Sequence, residues 1–114
     1  MELKLKRLGD IYIVSAHGEI DLFHSRKLRA VFDKFTSENV SKLIVNLDDV
    51  SYIDSSGVGA LLYMFSEGKK RLMKMHFARV HGPVKKVIEL TKLTNYLPIV
   101  DTVEEGIEKI KNGE

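Results

Sequence analysis

The run Asp54-Ser55-Ser56-Gly57-Val58-Gly59 gathers an acid, two adjacent hydroxyls and two glycines. It lies just before Val58, Leu61, Leu62 and Phe65, apolar positions that recur at helical spacing. Asp and Ser are preferred helix N-caps, and such a cap contributes about 1 kcal/mol. Asp54, Ser55 and Ser56 cannot all be the N-cap. At least one hydroxyl should therefore point outward at the positive end of the helix dipole. A kinase could reach it there, and a phosphate would be electrostatically tolerated. Glu19 and Asp21, in Gly18-Glu19-Ile20-Asp21, form a second candidate site. Read locally they make a solvated turn, with Asp21 as a cap for the next helix. Their spacing fits paired-carboxylate catalysis only loosely.

Other chemistries lack their residues. His17, His24, His76 and His81 show no HExxH or related ligand spacing, so no metal site is expected. Gly57-Val58-Gly59 resembles half of a dinucleotide fingerprint, but Leu62 stands where the third glycine should be. No Lys-Ser or Lys-Thr follows to complete a phosphate-binding loop. Gly-x-Ser-x-Gly is absent around Ser55 and Ser56. A small hydrolase using one of these serines with His17 or His24 is a weaker reading. No cofactor is expected.

The elements that must hold these residues follow from periodicity. Leu3 and Leu5 alternate with charges, Gly9-Asp10 signals a turn, and Ile11–Ala16 reads as the second strand of a hairpin. Gly18–Asp21 is then expected to be a polar connection. Leu28, Val31, Phe32 and Phe35 mark a helix that ends near Asn39. Leu43–Leu47 is a short, mostly apolar strand, and Asp48–Ile53 an extended connection. The helix through Val58 should stop between Gly68 and Leu72. A strand over Lys74–Val80 follows, then a turn at His81-Gly82-Pro83 and a helix carrying Val84, Val87, Ile88 and Thr91. Pro98–Val100 is a brief strand, and Thr102-Val103-Glu104-Glu105 has the form of a capping box for the last helix. Strands alternating with helices favour parallel pairing. The expected fold is α/β: a small mixed sheet of about five strands, with a parallel centre and an antiparallel N-terminal hairpin, packed with about four helices.

Composition sets the outer limits. The 114 residues fit one domain, 1–114, and 13.0 kDa corresponds to a folded surface of roughly 6,300 Å² against roughly 19,000 Å² unfolded. The absence of cysteine excludes disulfides, thiolate catalysis and Cys-based metal sites. With 18 Lys plus Arg against 16 Asp plus Glu, the formal charge is +2, and no basic stripe with interleaved aromatics appears. Direct nucleic-acid binding is therefore not expected. Lys4, Lys6 and Arg7 suit an edge strand, and Lys69, Lys70 and Arg71 suit a helix C-terminus. No apolar run approaches the ~20 residues of a membrane span, and the N-terminus lacks a signal-peptide core. A soluble cytoplasmic protein is the default expectation.

Gly18-Glu19-Ile20-Asp21 and the run Asn46-Leu47-Asp48-Asp49-Val50-Ser51-Tyr52-Ile53-Asp54-Ser55-Ser56-Gly57-Val58-Gly59 together resemble the STAS domain. This module is shared by sulphate transporters and anti-sigma factor antagonists. The resemblance covers nearly the whole chain and is closest to stand-alone bacterial antagonists of sporulation and stress sigma factors. It implies partner switching without catalysis. The unphosphorylated antagonist binds an anti-sigma factor that is also a serine kinase, and so frees the sigma factor. The kinase then phosphorylates the antagonist, the pair separates, and a serine phosphatase resets it. Aligned residue by residue, Ser55 is the phosphosite and Ser56 a cap or neighbouring contact. Glu19 and Asp21 match the loop beside it, and Asp54, Ser56 and Gly57 belong to the same partner-binding segment. The alternative is a STAS scaffold that is never phosphorylated, or a subunit of a lipid-transport or signalling complex.

Overall fold

The computed structural model describes residues 1–114, with an accessible surface of 6428 Å². The elements run β1 (Glu2–Leu8), β2 (Ile11–Ile20), α1 (Leu22–Ser37), β3 (Lys42–Ile53), α2 (Ser55–Lys70), β4 (Lys74–Ala78), α3 (Gly82–Leu90), β5 (Ile99–Val100) and α4 (Val103–Lys111). The five strands form one sheet in the order β1-β2-β3-β4-β5. β1 and β2 pair antiparallel, and the remaining neighbours pair parallel. The mixed sheet with an N-terminal hairpin and four helices is the expected architecture. The lysines of β1 do lie on an edge strand, where charge discourages pairing with other chains.

Strand alternation divides the core between the two sheet faces. Val14, Leu43, Val45, Leu47, Met75 and Phe77 pack against α1, α2 and α3, whose buried residues include Leu28, Phe32, Val58, Leu61, Val84 and Ile88. Ile11, Ile13, Ile44, Ala78 and Val100 form a smaller cluster with Ile110 of α4. Gly106 explains itself at this second interface. A Cβ there would stand 3.2 Å from Ile44 Cδ1 and 3.4 Å from Val100 Cγ2, so α4 lies close to the sheet. The helix propensity that this glycine gives up, about 1 kcal/mol, is the cost of that close approach.

All four helices end in one way. Asn39, Leu72, Lys92 and Gly113 take positive φ directly after the C-cap residues of their helices. The next amide then reaches back to a carbonyl of the last turn: Val40 to Phe35, Met73 to Gly68, Leu93 to Ile88, and Glu114 to Lys109. These are Schellman-type closures, which satisfy carbonyls that would otherwise lack partners.

Three expectations are corrected. Gly18–Ile20 is not a connection but the end of β2, and Asp48–Ile53 is not a connection but the second half of β3. The register shows why alternation failed to reveal this. Ser15 pairs with Asn46, but His17 pairs with Asp49; Gly18 pairs with Val50, but Glu19 pairs with Tyr52. β3 thus carries an extra residue at two points, and such bulges re-aim side chains. Leu47, Val50 and Ile53 all enter the same core at a spacing of three, which a two-residue period cannot detect. Lastly, β4 stops at Ala78 rather than Val80, because Arg79 has φ +62° and leaves the sheet.

The capping box of α4 is displaced by one residue. Thr102 Oγ1 accepts from the Glu105 amide at 3.0 Å, as expected. Glu105 Oε2, however, accepts from the amide of Asp101 at 3.0 Å, not from that of Thr102.

Candidate functional site

The long β2–β3 pairing brings the two segments singled out in the sequence side by side. Ile20 and Ile53, the last residues of the two strands, are paired and buried, and the Asp54 amide points at the Ile20 carbonyl at 3.4 Å. Parallel neighbours lie about 4.8 Å apart, so Asp21 and Asp54 begin α1 and α2 next to each other. Each is an N-cap. Asp21 Oδ1 accepts from the His24 amide at 2.9 Å, and Asp54 Oδ1 accepts from the Gly57 amide at 3.0 Å.

Gly57 makes this junction possible. A Cβ at that position would lie 2.4 Å from the Ile20 carbonyl oxygen and 2.5 Å from Ile53 Cγ1. Helix α2 therefore starts pressed against the strand ends, and only a residue without a side chain fits. Gly57 is buried, so it shapes the site from behind and presents no side chain to a partner.

With Asp54 as the cap, the serines are released from that duty. Ser55 and Ser56 are the first two helical residues, Ser55 exposed and Ser56 half-buried. The structure thus corrects the suggestion that Ser56 caps the helix. Glu19 is exposed at the end of β2, and Asp21 is half-buried. The His24 amide bond to Asp21, aided by the nearby imidazole, holds the Asp21 carboxyl below its ordinary range. His24 Nδ1 is 2.8 Å from Asp21 Oδ1, a close contact without the alignment of a hydrogen bond. By linkage, the cap's contribution is complete above the unfolded carboxyl value and is lost only as pH falls through the lower folded value.

A cleft of about 380 Å³ opens between α1 and α2, lined by Leu22, Ser25, Arg26, Arg29, Ser55, Ser56 and Gly59. The expected site residues Ser55 and Ser56 are in it; the arginines and Leu22 were not singled out from the sequence. Leu22 and Phe23 are 56% and 74% exposed at the start of α1. The signal for the missed residues was available as spacing: Leu22, Ser25, Arg26 and Arg29 fall at i, i+3, i+4 and i+7, one helix face. A slightly larger cleft, about 420 Å³, lies on the opposite sheet face beside α4. Its lining includes Lys4, Lys6 and the His17–Asp49 pair but none of the serine segment.

Each histidine ring has a neighbour of its own. His17 Nδ1 lies 3.1 Å from Asp49, His24 Nε2 3.0 Å from the Met1 amine, His76 Nε2 3.2 Å from the Glu114 carbonyl, and His81 Nε2 2.7 Å from the Asp48 carbonyl. No group of three or more His, Asp or Glu side chains is arranged to hold a metal ion. No helix is long and apolar enough to cross a membrane.

Comparison with known proteins gives the same picture. An anti-sigma-B factor antagonist of Staphylococcus aureus is 24% identical over 93 residues, covering 82% of this chain and 86% of the relative. The solved structure of a Thermotoga maritima protein, provisionally assigned as an anti-sigma factor antagonist, superposes with a TM-score of 0.89 at 24% identity over 96% of this chain and 94% of that one. The Bacillus cell fate determinant SpoIIAA matches in its phosphorylated form with a TM-score of 0.75 at 22% identity, over 96% of this chain and 99% of that one. Its unphosphorylated form also gives 0.75, at 21% identity over 99% and 100%. The STAS domain family model matches residues 2–106, a span that includes both N-caps, both serines and the glycine that seats α2 on the sheet. The chain belongs to the STAS domain family.

Proposed function

We propose that this protein is an anti-sigma factor antagonist, a cytoplasmic partner switch controlled by phosphorylation of Ser55. The observation that carries the reading is the division of labour at the start of α2: Asp54 caps the helix, and Ser55 is an exposed residue free of that role. In the unphosphorylated state the face bearing Glu19, Asp21, Asp54 and Ser56, with the exposed Leu22 and Phe23, binds an anti-sigma factor kinase and releases its sigma factor. Apolar anchors ringed by polar groups are the usual anatomy of such a surface.

The switching step is a phosphoryl transfer. Ser55 Oγ attacks the γ-phosphorus of ATP in the kinase, the new O–P bond forms, the bond to ADP breaks, and the hydroxyl proton passes to a base of the kinase. This chain is substrate and ligand, not catalyst. A serine phosphatase reverses the step by hydrolysis. The helix N-terminus accepts the phosphate without refolding. Support comes from relatives whose names are those of anti-sigma factor antagonists, and from the equal fit of this fold to both forms of SpoIIAA.

Purification of the tagged chain from its source cell tests the reading. Recovery of a kinase-like anti-sigma factor is the expected result. Recovery of a membrane transport complex instead would favour the scaffold role and overturn this one.

A further inference from the structure

Arg26 and Arg29 face the serines across the cleft between α1 and α2. Neither guanidinium belongs to any of the six ion pairs of the molecule. The acid one turn further along α1, Asp33, is diverted: it accepts the Tyr63 hydroxyl at 2.7 Å. That bond to the Asp33 carboxylate raises the Tyr63 phenol above its ordinary pKa. Tyr63 in turn offers its ring to Arg29, whose guanidinium carbon stands 4.8 Å from the ring centroid. Arg29 is therefore oriented by a cation–π contact yet not neutralised.

Gly59 lets Arg29 reach across. One Nη of Arg29 lies 3.4 Å from the position that a Cβ would take at Gly59. Gly59 follows Ser55 by four residues, and such positions are neighbours on a helix face, about 5–6 Å apart. The Arg29 guanidinium thus sits one helical turn along α2 from position 55, in the same cleft. Arginine's planar fork matches phosphate oxygens in pairs.

We infer that Arg26 and Arg29 form a receiving site in cis for a phosphate on Ser55, closing the cleft between α1 and α2. This rests on Ser55 as the modified residue. Capture would turn two cations and the cleft away from the partner surface, so the modification would act by withdrawing contacts as well as by adding charge.

The test places phosphoserine at position 55 of the full chain by encoded incorporation, so that no kinase is needed. The phosphorus-31 shift is then titrated with pH. Opposite charges within hydrogen-bonding reach favour the dianion, so the phosphate's proton affinity should be about tenfold lower than in the Arg26→Gln/Arg29→Gln double variant. Arg29→Gln alone should fall between, and high salt should shrink the difference. Both chains share the helix N-terminus, so the difference isolates the arginines. Superimposable titrations in wild type and double variant would overturn the inference, and so would unchanged titrations accompanied by weakened kinase binding, which would assign the arginines to the partner surface. Failure of a kinase to modify Ser55 would strike the proposed function without altering the phosphorus titration.

Discussion

Ser55→Asp is expected to weaken binding to the anti-sigma kinase by more than about a hundredfold, with Ser55→Ala retaining near-wild-type affinity. Ser55 is an exposed residue and Asp54 is the helix cap, so alanine removes no capping bond. Aspartate adds a negative charge beside Asp54 and near Asp21 within a surface that loses water on binding. Against each acid at ~5 Å the repulsion rises from about 0.8 kcal/mol in water to about 3 kcal/mol at an effective dielectric near 20, and the increase from two acids exceeds the roughly 3 kcal/mol of a hundredfold loss in affinity. Calorimetry with the three chains measures this directly. Equal affinities for the aspartate and alanine variants would remove the electrostatic mechanism.

The largest stability effect should come from Gly57→Ala. In an ordinary helix this change would gain up to about 1 kcal/mol of propensity. Here the new Cβ meets a backbone oxygen of a fully buried residue at 2.4 Å, and that oxygen cannot move without parting β2 from β3. Overpacking usually costs about 1–3 kcal/mol; a rigid backbone clash belongs at or above the top of that range. A net loss of about 3 kcal/mol lowers the melting temperature by on the order of 12 °C in a domain of this size. Asp54→Ala, which removes only the cap, should cost about 1 kcal/mol. Thermal unfolding followed by circular dichroism ranks the variants. A Gly57→Ala chain melting with the wild type would show that α2 is not seated against Ile20 as described.

The contrast with Gly106 shows what the sequence could and could not reveal. Both glycines sit within helices, and composition treats them alike. Gly106 faces the ends of flexible side chains, Ile44 and Val100, whereas Gly57 faces main chain. That difference depends on the β2–β3 register, which no local pattern encodes. The helices were legible because their apolar positions repeat at helical spacing, and the short parallel strands because they form apolar runs. The C-terminal halves of β2 and β3 were not, since two bulges place Leu47, Val50 and Ile53 on one face. The serines and the acids beside them were legible as chemistry. Their neighbours Arg26 and Arg29 were not legible, because only the packing of α1 against α2 brings them to the serines around the cleft.

The cap geometry also sharpens the choice between the serines. By sequence, Asp54, Ser55 and Ser56 competed for one capping role. Asp54 takes it through the Gly57 amide, and Ser55, the more exposed of the two serines, is the proposed site of modification.

Phosphosite mapping tests this account most directly. The purified chain is incubated with its cognate anti-sigma kinase and ATP, digested, and the phosphate located by mass spectrometry. The account predicts a single phosphate on Ser55, abolished by Ser55→Ala. Phosphate on Ser56 with Ser55 untouched, or an unmodified chain that stays bound to the kinase, would contradict it.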